Sequence, residues 1–185
     1  MERITALVVL LALATPGTSR AQTEGVVELG FTTQPTSGNY DPRHVLAVWV
    51  TDSDGDFVKT LLRRADRRRQ YLYTWNDQTG GDTVDAVTGA TLSSHARLDV
   101  SWDCRDRAGN VAPDGEYRIR VEYTSQHAQG PLTPASLLEF TKGPEAVSSS
   151  PPDQQYFKGI TLSYTPETNT HVIGPAGSDW KFEDS

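Results

Sequence analysis

The chain holds a single cysteine, Cys104, among its 185 residues, which excludes an intramolecular disulfide. In an exported protein a lone cysteine is either a buried thiol or an intermolecular partner, and burial is the expectation here. Positive charge is short as well: 17 Lys and Arg stand against 24 Asp and Glu, for a net charge of -7. An acidic balance of this size argues against nucleic acid as a partner. The common catalytic signatures are missing. There is no nucleophile elbow, no phosphate-cradling glycine loop and no His pair borne on a helix. The four histidines, His44, His95, His127 and His171, are scattered and show no metal-ligand spacing. His95 lies two residues from Ser93, but triads are assembled from distant segments, so this local spacing does not make a Ser/His pair. No internal repeat and no second domain is evident.

What is present begins with a leader. Arg3 supplies a charged start, Ile4 to Ala14 is apolar, Pro16-Gly17 breaks the run, and Ser19-Arg20-Ala21 has the small-x-small form of a cleavage site. The apolar run is too short to span a bilayer, and no cysteine follows it to carry a lipid. Residues 1–21 therefore read as a signal peptide, with the remaining chain exported, soluble and not inserted in a membrane. Loss of Glu2, Arg3 and Arg20 takes the formal charge from -7 to -8 and leaves 164 residues, enough for one domain with a substantial core.

Short runs rich in β-branched and aromatic residues recur along this chain, separated by Gly, Pro and Asp turns. Val26–Thr32, Val45–Thr51, Phe57–Leu62, Arg97–Trp102, Glu116–Tyr123, Leu137–Phe140 and Ile160–Tyr164 read as strands. Asp52 to Asp56 makes a tight acidic turn that closes a hairpin; it lacks the twelve-position spacing of a calcium loop. The segment 63–75 is the one with helical character. Asp66 is positioned to cap it, and Tyr71, Leu72 and Trp75 fall on one face, with Gly80-Gly81 ending regular structure beyond. This spacing predicts an all-β protein: an antiparallel β-sandwich of about seven to nine strands over residues 22–165, with one short helix at Asp66–Trp75. Trp49, Val100, Trp102, Tyr117, Ile119 and Val121 are the expected core, and 166–185 the expected loose tail. Five arginines, Arg63, Arg64, Arg67, Arg68 and Arg69, make a local positive spot suited to a phosphate or an acidic partner.

Between the helical segment and the fourth strand lies Val84-Asp85-Ala86-Val87-Thr88-Gly89-Ala90-Thr91-Leu92-Ser93-Ser94-His95. Two hydroxyls stand here with little steric cover, and Gly89 frees the backbone between them. Asp85 to Thr91 resembles the Asp-x-x-Ser/Thr-Gly-Ala-Thr motif of extracytoplasmic FMN-bearing proteins, in which a flavin transferase esterifies the FMN phosphate to the last threonine. The longer run from Val26 to Tyr164 resembles a periplasmic family of unknown function, the one numbered twenty-two seventy-one. The resemblance implies Thr91 as the site of covalent FMN, with Asp85, Thr88, Gly89 and Ala90 as recognition residues. It also implies a flavin transferase and a PepSY-type membrane reductase as partners, in envelope electron transfer and iron acquisition. Arg67, Arg68 and His95 are the expected cations beside the phosphate. Trp102-Asp103 through Gly109-Asn110 to Pro113-Asp114-Gly115-Glu116-Tyr117 resembles the immunoglobulin-like module of flagellar hook-capping proteins, with Cys104 where glycine is usual. That likeness implies an immunoglobulin-like sandwich in which Trp102 and Tyr117 are core.

Two functions from different classes follow. One is a periplasmic electron carrier with FMN on Thr91; the alternative is a cofactor-free immunoglobulin-like binding or structural module. A stand-alone enzyme ranks below both.

Overall fold

The computed structural model describes residues 20–131 and 138–167. Nearly all of the leader, the far end of the tail and His171 lie outside these residues. Nine strands are described: β1 (Gly25–Thr33), β2 (Val45–Asp52), β3 (Phe57–Arg64), β4 (Val87–Gly89), β5 (Arg97–Trp102), β6 (Gly115–Thr124), β7 (Leu138–Lys142), β8 (Val147–Ser149) and β9 (Phe157–Pro166). They form two sheets in a sandwich. One has the order β5-β1-β9-β8 and the other β4-β3-β2-β6-β7. All pairings are antiparallel except β3 with β4.

Each run expected as a strand is one over its described residues, and along β1, β6 and β9 alternation places one set of side chains inward. Val27, Leu29 and Phe31 of β1, with Leu162 and Tyr164 of the neighbouring β9, face Val48 and Val50 of β2 and Ile119, Val121 and Tyr123 of β6 in one apolar layer. Trp102 and Tyr117 sit within it, ring centroids 5.1 Å apart and edge to face. Of the expected core, Val100 differs: it is only half-buried, because β5 is an edge strand with a neighbour on one side alone. Two strands were not foreseen, β4 within the motif and β8 in the Pro- and Ser-rich stretch between β7 and β9. Each is three residues long, too short for alternation to register. Pro166 and Glu167 extend the fold rather than opening a tail, since Pro166 closes β9 opposite Gly25 and the Glu167 N–H donates to the Glu24 carbonyl.

The helix lies further along than Asp66–Trp75. A 3-10 turn at Arg69–Tyr71 leads into α1, Tyr73–Thr79, which ends at Gly80 in the left-handed conformation (φ 63°). Asp66 does not cap it and instead pairs with Arg63 at 3.2 Å. The first-turn N–H groups of Trp75 and Thr74 donate to the carboxylate of Glu122, at 2.8 and 3.3 Å. That residue is 48 positions away from Thr74, on β6. The helix covers the outer face of β2, where Val45, Ala47 and Trp49 meet Leu72 and Trp75. β2 is thereby buried on both faces, which accounts for its nearly unbroken apolar sequence.

Candidate functional site

The motif begins as the edge strand β4 and then runs to Leu92, which bridges to His44. Thr88 and Gly89 on β4 pair with Arg63 and Arg64 on β3. At Gly89 the Arg64 guanidinium lies against the backbone, where a Cβ would stand, so a larger residue there would displace that side chain. Asp85, Thr88 and Ala90 are exposed, whereas Thr91 is half-buried. Asp85 holds a left-handed backbone (φ 55°) and lines a separate groove with Lys59, Val87 and Asp103. Leu92 packs on the core. Its backbone also exchanges two hydrogen bonds with His44, the Leu92 N–H donating to the His44 carbonyl at 2.9 Å and the His44 N–H to the Leu92 carbonyl at 3.1 Å.

This bridge places Thr91 in the wall of a cavity of about 310 Å³, whose other walls include Tyr40, Arg43, His44, Arg68, Tyr71 and His127. His127 stacks on Tyr71 (centroids 4.6 Å apart, planes 10° apart) and tilts against Tyr40 (4.8 Å, 37°). The Arg68 guanidinium lies over the Tyr40 ring, 5.8 Å from its centroid. The cavity thus pairs an aromatic platform with cationic edges, next to a secondary hydroxyl.

Of the expected cations, Arg68 lines this cavity and Arg67, which is exposed, does not. Alternation along β3 explains why the arginines are not one patch, since neighbours on a strand face opposite ways: Arg63 turns to Asp66 while Arg64 lies over Gly89. His95 is not in the cavity wall either. It stacks behind His44, rings parallel within 5° and centroids 4.3 Å apart. Thr33 Oγ1 lies between the two imidazoles, 3.2 Å from His44 Nε2 and 2.8 Å from His95 Nδ1. His95 Nε2 approaches Asp41 Oδ1 at 3.4 Å.

Burial works to raise the Asp41 carboxyl, but hydrogen bonds from Ser125, His95 and the Gly38 and Thr36 N–H groups outweigh it and hold it below the usual range. Burial pushes His44 down, only partly opposed by its bond to the Pro42 carbonyl, and the neighbouring His95 lowers it further. Tyr40, Arg43, His44, Tyr71 and His127 were not foreseen as site residues. Nothing in their spacing betrays a cavity built from the β1–β2 connection, the helical segment and the end of β6.

Residues 27–138 match the family DUF2271, described as a predicted periplasmic protein. The chain belongs to that family. Its setting is accordingly the periplasm, and among the described residues no helix is long and apolar enough to cross a membrane. No curated protein and no solved structure matches the chain.

Proposed function

We propose that this DUF2271 protein carries FMN esterified to Thr91 and serves as an electron carrier of the envelope. The observation that carries this reading is the position of Thr91, in the wall of a cavity lined by Tyr40, Tyr71, His127, Arg43 and Arg68. A flavin needs a flat apolar platform for its ring and cations for its phosphate, and this donor set suits both. Bound FMN would supply the redox chemistry, and the chain would supply position and electrostatics.

In the attachment step the Thr91 hydroxyl oxygen attacks the phosphorus on the riboflavin side of FAD. The bond from that phosphorus to the AMP oxygen breaks, AMP leaves, and the hydroxyl proton passes to solvent through the transferase. Gly89 and Ala90 keep the approach free of bulk, and the exposed Asp85 offers a carboxylate for the transferase to read. Arg43 and Arg68 offset the phosphate's added charge in an acidic protein. A PepSY-type membrane reductase is the electron partner that the sequence resemblance implies, with iron acquisition as the setting.

Co-expression with a flavin transferase tests the proposal. The expected product is a yellow protein whose intact mass, under denaturing conditions, exceeds that of the bare chain by one FMN ester. Thr91→Ala should abolish the gain and Thr88→Ala only weaken it. A wild-type chain left unmodified by a transferase that labels a control substrate would overturn the reading in favour of a cofactor-free module.

A further inference from the structure

The stacked histidines form a chain of hydrogen bonds whose protons can be counted. Its contacts run from the Pro42 carbonyl to His44 Nδ1 (3.0 Å), His44 Nε2 to Thr33 Oγ1 (3.2 Å), Thr33 Oγ1 to His95 Nδ1 (2.8 Å) and His95 Nε2 to Asp41 Oδ1 (3.4 Å). The two ends, a carbonyl and a carboxylate held ionised, only accept. All four contacts therefore need hydrogens from within the chain. Two neutral imidazoles and one hydroxyl supply three. One bond is left without a proton unless the pair takes up one more.

That extra proton has two placements, each of which completes all four bonds. With the Thr33 hydroxyl donating to His44, both nitrogens of His95 carry hydrogen and the cation faces Asp41. With the hydroxyl turned to His95, the cation sits on His44, in the wall of the Thr91 cavity. A second extra proton has no bond to fill and would set two cations in parallel rings 4.3 Å apart. We propose that His44, Thr33 and His95 form an internal proton-binding site that takes up one shared proton and relays it between Asp41 and the Thr91 cavity.

The surroundings suit such a site. His44 is 1% exposed, and the His95 side chain 8%. Tyr123 of β6 presents its ring edge to both imidazoles, at 5.4 and 6.2 Å, with its hydroxyl committed to the Gln34 carbonyl. Asp41 is the acid beside the pair, while Arg43, Arg68 and His127 stand with His44 around the cavity. An anion held at Thr91 would draw the shared charge to His44; this consequence rests on the flavin reading, whereas the proton site does not.

Ring-nitrogen NMR of the histidines across pH tests the site on the unmodified chain. In the wild type, His44 and His95 should titrate at one common midpoint and hold three ring hydrogens between them on the acid side. Thr33→Ser should preserve the common midpoint, Thr33→Val should split it in two, and Asp41→Asn should move it to lower pH. Thr91→Glu, which sets a fixed negative charge in the cavity wall, should move it to higher pH. Separate midpoints in the wild type, or two ring hydrogens gained in one step to give four in all, would overturn the shared proton. An unmoved midpoint in Thr91→Glu would overturn the link to the cavity. Should Thr33→Val fail to fold, Thr33→Ser and Asp41→Asn carry the same comparison. None of these variants depends on flavin attachment, so failure there leaves the result readable.

Discussion

Cys104 shows how position decides a side chain's chemistry. It is fully buried, and burial pushes its thiol up to about 12, with the Lys142 charge only partly opposing. The thiolate is the reactive form, so the native protein should not react with a thiol reagent at neutral pH and should react once unfolded. Rapid labelling of the folded protein would contradict this packing. Its backbone is left-handed (φ 55°), the conformation that explains why glycine suits the residue after Trp-Asp. Tyr71 offers a second test at this scale. If the flavin ring lies on the Tyr71–His127 platform, Tyr71→Ala should leave the mass gain intact and raise flavin fluorescence, because stacking on an aromatic ring quenches it. Unchanged emission would place the flavin elsewhere.

At the scale of elements, the position of α1 depends on a carboxylate from another strand. Glu122 is fully buried, and desolvation raises its carboxyl even though the Trp75, Thr74 and Tyr73 N–H groups favour the charged form. Glu122→Ala leaves buried donors without an acceptor and should cost about 1–3 kcal/mol in a denaturant melt. Asp66→Ala removes a surface ion pair and no cap, so its effect should stay within about 0.5 kcal/mol. Equal effects would return the cap to Asp66. In the sandwich layer, Trp102→Ala should cost about 3–5 kcal/mol, the range for deleting a large core aromatic; a near-neutral melt would show that the layer repacks without it.

For the whole molecule, the titratable groups set a direction for acid stability. Asp41, Asp106 and Asp114 are each held below their ordinary 3.8: burial opposes this, and hydrogen bonds outweigh it. Asp114 draws them from Lys142 and Thr23, at 2.8 and 2.7 Å. A depressed carboxyl contributes stability that is present above 3.8 and is lost as pH falls through its folded value. His44, depressed below 6.5, also favours folding at higher pH, because below 6.5 the unfolded chain binds a proton that the folded one resists. Glu122 acts oppositely: its contribution is present below 4.5 and lost as pH rises beyond that. Three aspartates and a histidine outnumber it, so the melting temperature should fall on acidification, first below about 6.5 and again below about 3.8. A melting temperature that rose on acidification would contradict these assignments.

The sequence by itself determined seven of the nine described strands, the layer they bury and the hydroxyl-bearing segment. Alternation over six or more residues, as in Glu116–Tyr123, is a local property that any half-buried strand must show. The segment Thr88–Thr91 was legible for a similar reason, since its hydroxyls and its glycine are adjacent along the chain. The tertiary structure alone decided what surrounds Thr91. His95 meets Thr33, 62 positions away, and Glu122 reaches Trp75 across 47. Around Thr91 the cavity collects residues from three other stretches of chain, and no local pattern links those stretches to one another. Hydrogen bonds and ring contacts depend on separations of a few ångströms between groups distant in sequence, and those separations exist only once the two sheets have packed.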